Sequence, residues 1–277
     1  MDFFIIGMSI ILGCIIGSFL NVVMLRFNTG KSLKGRSQCF SCSHTLCWYE
    51  LVPVFSWLFQ RGLCRHCSSK ISKTYVIGEL LTGGFFGLIT SRALFFAGDI
   101  YSSPYLVSTL FLFVLFSILL VILFYDIRHK IIPDSLSFAF GILSFTSLFF
   151  FSFQSSVFSF VGFQLPSLWA VLAGALVPLP FIILWIVSKG RWIGLGDPKL
   201  MVGMGFLFGM TRGFSSVFLA FWIGALFALG VLFTNKVLGK TLLRRGKKSI
   251  MKEEIPFAPF LILATLATLV FNFNLFV

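Results

Sequence analysis

Charge is what this sequence has least of. Asp and Glu together number nine in 277 residues, and all charged types make up 11% against 58% hydrophobic, with a mean hydropathy of +1.00. A soluble domain carries roughly 25% charged residues, so a water-facing surface is excluded. Sustained alternation of apolar and polar residues is also missing from the long hydrophobic runs, which excludes lipid-facing barrel strands. Runs of about 20 apolar residues recur instead, each long enough for a hydrocarbon core of roughly 30 Å. A bilayer leaves no backbone group unpaired, so these runs predict the helices of a polytopic membrane protein. The first run, FFIIGMSIILGCIIGSFLNVVML, has Asp2 where a signal peptide has basic residues, and no small-residue cleavage site follows it. It reads as a retained span.

The expected fold class is all-α, with about eight transmembrane helices and a cytoplasmic four-cysteine, zinc-ribbon-like loop. The spans fall at 3–25, 75–97, 104–125, 135–153, 167–187, 199–211, 214–234 and 256–276. The 199–211 span is short, and Gly209, Arg212 and Gly213 mark its hairpin to the next helix. Eight spans put loops 26–74, 126–134, 188–199 and 235–254 on one side, where they hold 8, 2, 3 and 7 Lys and Arg, 20 of the 22 present. By the positive-inside rule that side is cytoplasmic and both termini are outside. The formal charge of +13 is thus topological, with attraction to anionic lipid secondary, and it calls for no nucleic-acid partner. The basic tail KVLGKTLLRRGKKSIMKEE reads as a cytoplasmic anchor for the last span.

Loop 26–74 is the polar segment large enough to fold outside the bilayer. It carries CFSC (Cys39, Cys42) and CRHC (Cys64, Cys67). Two such pairs at this separation suit a tetrahedral four-cysteine zinc site, the residues between them making a hairpin. A segment this small builds no core of its own, so a metal would supply its folding energy. A redox dithiol reading stays open beside it, although a reducing cytoplasm favours metal. Cys14 and Cys47 read as ordinary side chains, and His44 and His66 flank a site that four cysteines already complete.

The nine acids divide by position. Asp2, Asp99, Glu50, Glu253 and Glu254 read as solvated. Glu79, Asp126, Asp134 and Asp197 stand at helix ends facing the inner side. Asp126 closes the third span in LFYDIRHKIIPD, and Asp197 lies in GLGDPKL between the fifth and sixth. Both reach one membrane face on different helices, where an ionisable group needs an explanation. Gly194 and Gly196 permit close approach of an extended peptide, and Asp197 before Pro198 suits a helix N-cap. Asp134, beside Pro133, reads as the cap of the fourth helix. Two carboxylates in a low-dielectric cleft do not ionise together and share one proton. Such a dyad hydrolyses an amide, one member taking a proton from water while the other polarises the carbonyl. In the first span, Gly17 and Asn21 share a face suited to close helix packing, with Ser18 beside them.

Read in order, GSFLNVVMLR (17–26), the two cysteine pairs, YVIGELLTG (75–83), YDIRHKIIPD (125–134), GLGDPKL (194–200) and IPFAPFL (255–261) resemble the type IV prepilin peptidase family, bacterial inner-membrane aspartyl proteases of the GxGD type. The resemblance runs along nearly the whole chain. It implies that Asp126 and Asp197 are the catalytic pair, supported by Gly194 and Gly196. It further implies that they cut the leader from type IV prepilins or type II secretion pseudopilins after a glycine, at the cytoplasmic face. Many members also methylate the new N-terminal residue with S-adenosylmethionine, an activity that goes with the cysteine-loop half. Gly78 and Glu79 match positions associated with it, and a buried carboxylate paired with a nearby Lys or Arg, such as Lys73, is the other reading of Glu79. The resemblance divides the chain into residues 1–98, the methyltransferase half, and 99–277, the peptidase membrane domain. The chain departs from the family pattern in RFNTG after Arg26, in Ala258 of IPFAPF, and in Pro198. None of these touches an aspartate or a cysteine.

Two other classes compete. A proton-coupled transporter would use Asp126 and Asp197 as a relay, but both lie at one face and no inverted repeat or midplane helix break is evident. A membrane thiol oxidoreductase would use the cysteine pairs instead.

Overall fold

The structure, a computed structural model, describes residues 2–29, 32, 35–97, 103–154, 157–238 and 256–276. It is mainly helical, and it separates into two compact units, residues 1–124 and 125–277. The expected segments at Asp99 and at 239–254, with Glu253 and Glu254, lie outside the described residues.

In the first unit, α1 (Asp2–Arg26) packs along α3 (Thr74–Ala97). Glycine makes the approach close: a Cβ on Gly13 would stand 2.7 Å from the Gly83 Cα. One stripe of small residues thus meets another, as membrane helices use in place of a hydrophobic driving force. Between them lie a single 3₁₀ turn (Trp48–Glu50) and the short α2 (Phe55–Phe59). Next comes α4 (Ser103–His129). Its Ser108, Thr109 and Ser117 hydroxyls donate to carbonyls four residues back, at 2.6–2.8 Å. That local bond satisfies a hydroxyl where no water is at hand.

The second unit holds α5 (Asp134–Phe150), a hairpin of β1 (Phe151–Gln154) and β2 (Val157–Phe160), then α6 (Leu168–Leu176) and α7 (Leu179–Ser188). It ends with α8 (Gly196–Leu238) and α9 (Ala258–Phe271). The expected 135–153 span is shorter than its apolar run, because the chain leaves the helix at Phe151 and pairs antiparallel, Phe151 against Phe160 and Phe153 against Phe158. The expected 167–187 span is interrupted between α6 and α7, where Pro178 offers no N–H to the α6 ladder. Within α8 the backbone leaves helical geometry at Gly209 (φ 73°, ψ −168°). There it folds back: a Cβ on Gly213 would stand 3.6 Å from the Gly205 Cα, and one on Gly224 3.3 Å from the Phe260 ring. A continuous helix would put residues 205 and 213 about 12 Å apart.

Among the described residues, four helical stretches suffice by length and composition to cross a membrane: Asp2–Arg26, Pro104–His129, Leu168–Ser188 and Gly196–Thr234. Thr74–Ala97 is helical but is not among the four, and Asp134–Phe150 and Ala258–Phe271 are shorter apolar helices.

Candidate functional site

Asp126 sits in the last turn of α4 and is buried, 5% exposed. The Ala258 N–H, at the first residue of α9, donates to its carboxylate. The α9 N-terminus, carrying unpaired N–H groups and the positive end of the helix dipole, is a favourable place for that negative group. Its Oδ2 has no hydrogen-bond partner among the described residues. Asp197 opens α8 and is half-buried. The charge of Asp126 acts on it directly, so the second unit brings the two expected aspartates together.

The local readings around them need correction. Helix α8 starts at Gly196, so Asp197 lies inside its first turn rather than at the cap. The cap of α5 is Pro133, and Asp134 is the first helical residue. The Asp134 Oδ1 accepts from the Lys199 Nζ at 2.6 Å, linking the segment after Asp126 to the segment after Asp197. Neither Gly194 nor Gly196 takes a positive φ. Gly196 is needed for approach, since a Cβ there would stand 2.9 Å from the Ile132 Cβ. Gly194 has open space beside it.

In the first unit, the Glu79 Oε2 accepts from the Val54 N–H at 2.7 Å, and the Ser18 hydroxyl donates to the same carboxylate. Glu79 is buried and makes no ion pair with Lys73. Val54 has φ 62° and ψ −53°, a conformation that β-branched residues rarely adopt. Gly78 faces Asn21: a Cβ there would stand 2.8 Å from the Asn21 Oδ1. The Asn21 amide donates to the Tyr75 carbonyl at 3.0 Å. Glu50, expected to be solvated, is buried and accepts from the Cys47 N–H at 2.8 Å, because it closes its own turn. Sequence reasoning missed Ala258, Ser18 and Val54 as partners of the acids. For Ala258 a signal existed, the proline that follows it at a helix start.

Cys39, Cys42, Cys64 and Cys67 converge, their Sγ atoms all within 4.8 Å of one another. Two matching turns achieve this. The Cys39 N–H donates to the His44 carbonyl and the Cys64 N–H to the Ser69 carbonyl, both at 2.9 Å. Ser43 and Ser68, each four residues after the first cysteine of its pair, take φ near +57° and +56°. Tetrahedral zinc with Zn–S of about 2.3 Å separates sulfurs by about 3.8 Å, and Cys39 and Cys67 are 3.8 Å apart. The residues present fit a zinc ion. Convergence on one point is what a single metal requires, and two independent redox pairs do not require it. The Cys42 and Ser41 N–H groups pull the Cys39 thiol down to about 6. The Ser69 hydroxyl lowers Cys67. The His44 and His66 rings lie against each other, tilted by 31° with centroids 4.4 Å apart.

A cleft of about 240 Å³ lies on the same loop, lined by Tyr49, Val52, Phe55, Ser56, Phe59 and Arg65. That is below the roughly 300–1,000 Å³ of small-molecule sites, and Gly78 and Glu79 do not line it. The cleft does not fit a molecule as large as S-adenosylmethionine.

Residues 11–93 match the family model described as Bacterial Peptidase A24 N-terminal domain, and residues 113–229 match Type IV leader peptidase family. The chain is similar to a Burkholderia pseudomallei protein named prepilin leader peptidase/N-methyltransferase, 30% identical over 298 aligned positions, covering 96% of this chain and 85% of that protein. A Bacillus subtilis protein of the same name is 28% identical over 250 residues, covering 90% and 87%. A Myxococcus xanthus protein, again so named, is 40% identical over 128 residues, covering 46% of this chain and 35% of the relative. No solved structure matches the chain significantly.

Proposed function

We propose that this chain, which belongs to the type IV leader peptidase family, removes prepilin leaders with Asp126 and Asp197 as its catalytic pair. It is an enzyme of that family, a prepilin leader peptidase and N-methyltransferase. Type IV prepilins or type II secretion pseudopilins are its substrates, met at the cytoplasmic face of a bacterial inner membrane that it crosses about eight times.

The observation that carries the peptidase reading is the buried Asp126 carboxylate, held on one side by Ala258, open on the other, and in electrostatic contact with Asp197. In a dyad of this kind the ionised carboxylate takes a proton from water. The hydroxide bonds to the scissile carbonyl carbon while the protonated partner donates to the carbonyl oxygen. Collapse of the tetrahedral intermediate breaks the C–N bond, and the amine leaves with the transferred proton. Gly194, with no side chain and free space beside it, gives an extended peptide room at this turn.

Cys39, Cys42, Cys64 and Cys67 hold a structural zinc ion, which folds the loop and takes no part in cleavage. Residues 1–98 form the methyltransferase half and 99–277 the peptidase half. The relatives' names, which say N-methyltransferase, support methyl transfer; S-adenosylmethionine would supply the methyl group, at a place other than the Tyr49–Arg65 cleft. Glu79, engaged with Val54 and Ser18, serves methylation by holding the loop.

Cleavage of a prepilin by purified protein tests the pair. Asp126→Asn and Asp197→Asn should each lower the rate roughly 10²–10⁴-fold, the usual weight of a general acid or base. Undiminished cleavage by either variant removes that aspartate from the mechanism. A folded wild type inert on prepilins would favour a transporter.

A further inference from the structure

Between its two cysteine turns the chain exposes large apolar side chains, with Trp48 77% and Phe59 79% exposed and Phe55 and Leu58 also in the open. A patch of this kind marks a contact surface. The charge around it has one sign. Residues 27–73 hold seven Lys and Arg and one acid, Glu50, and Glu50 is buried.

The depth of the segment names its partner. Val54, immediately before α2, is bonded to Glu79, five residues into α3 from Thr74. At 1.5 Å per residue that is about 7.5 Å along the helix. Ser18, on the same carboxylate, lies eight residues before the α1 end at Arg26, or about 12 Å. Arg26 and Lys73, at the two helix ends, suit the headgroup level, and the interfacial layer is only about 5–8 Å thick on each side. Phe55 therefore follows a backbone point that lies below the helix ends, beside the α1–α3 pair.

We infer that Trp48–Phe59 is an interfacial wedge that docks on the anionic bilayer surface, its aromatic side chains at the acyl boundary and Arg61 and Arg65 on lipid phosphates. Trp and Tyr favour this level, and basic side chains near an anionic leaflet add to the attraction. The reading also explains the Glu79–Val54 bond. A backbone N–H held at that depth loses water, and the carboxylate replaces it. It rests on α1 and α3 crossing the bilayer and on neither enzymatic activity.

The test places a photoreactive benzoyl-phenylalanine at Phe59 or at Trp48 in the full chain. The chain is reconstituted in vesicles of phosphatidylethanolamine and phosphatidylglycerol. The same probe at Ile15, exposed in the middle of α1, calibrates contact with lipid. Both loop positions are exposed, so folding should survive, and the melting temperature of each labelled chain checks that it does. Lipid adducts at Phe59 and Trp48, in yields of the same order as at Ile15, are expected. Labelling at Ile15 with none at the loop positions overturns the wedge. So does crosslinking of the loop positions chiefly to protein, whether a second copy, another part of this chain or a prepilin.

Discussion

A single carboxylate can be chemical or architectural, and its partners separate the two. Glu79 has its Oε2 on the Val54 N–H and its charge beside the Ser18 hydroxyl, and these are the bonds of a brace. Removing the acceptor leaves a buried N–H unsatisfied, which costs about 1–3 kcal/mol. Glu79→Ala should therefore lower the melting temperature and the methylation rate together. Glu79→Gln keeps a carbonyl acceptor and should restore both. Methylation lost in Glu79→Gln at wild-type stability would make Glu79 a catalytic residue instead. Asp126 shows the opposite pattern, with an oxygen left open. The convergence of the four cysteines was legible in the sequence because each pair sits in a local pattern of fixed spacing, and patterns of the same local kind singled out Asp126 and Asp197 as candidates. The burial of Glu50 and the Ser18–Glu79–Val54 contact were not legible, since a loop residue's partner on a distant helix leaves no local periodicity.

At the level of elements, the hydrophobic runs located helices well and their interruptions poorly. The residues FSFQSSVFSF alternate with period two, yet they continue an apolar run, and the run length dominated the reading. In the structure Phe151 and Phe158 stack at 5.0 Å across the β1–β2 pair, which is what the alternation encodes. The reversal in α8 was expected around Gly209–Gly213, and it turns on Gly209 alone. Its φ of 73° and ψ of −168° fall in a region that is essentially glycine-only, and other residues pay about 1–3 kcal/mol there. Gly209→Ala should lower thermal stability by that amount. It should also slow cleavage, because the same hairpin begins at Asp197 and returns past Phe260 near the start of α9. An unchanged melting temperature would mean the turn relaxes elsewhere. Gly141, helical and with open space beside it, is the matching control, and Ala should be accepted there.

Over the whole molecule, two kinds of stabilisation divide the chain. The long helices bury apolar side chains against each other, and their hydroxyls satisfy themselves locally. Residues 27–73 do neither: among the described residues there, Cys64 is the buried apolar side chain. A stretch with so little core folds on what ties it together, and the four converging thiols supply that tie. Structural zinc contributes about 10–16 kcal/mol in small domains, far more than the hydrogen bonds of two short turns. Stripping metal with a strong chelator should therefore unfold the loop outright, seen as rapid hydrogen exchange across 35–72. Cys64→Ser should reproduce the effect at full metal concentration. The aspartates lie in the stretch matched to the leader peptidase family, 113–229, and the cysteines in the stretch matched to the N-terminal domain, 11–93. If each unit stands on its own stabilisation, metal loss should abolish methylation and leave most of the cleavage rate. A cleavage rate that falls in step with metal content would mean that cleavage depends on the folded loop.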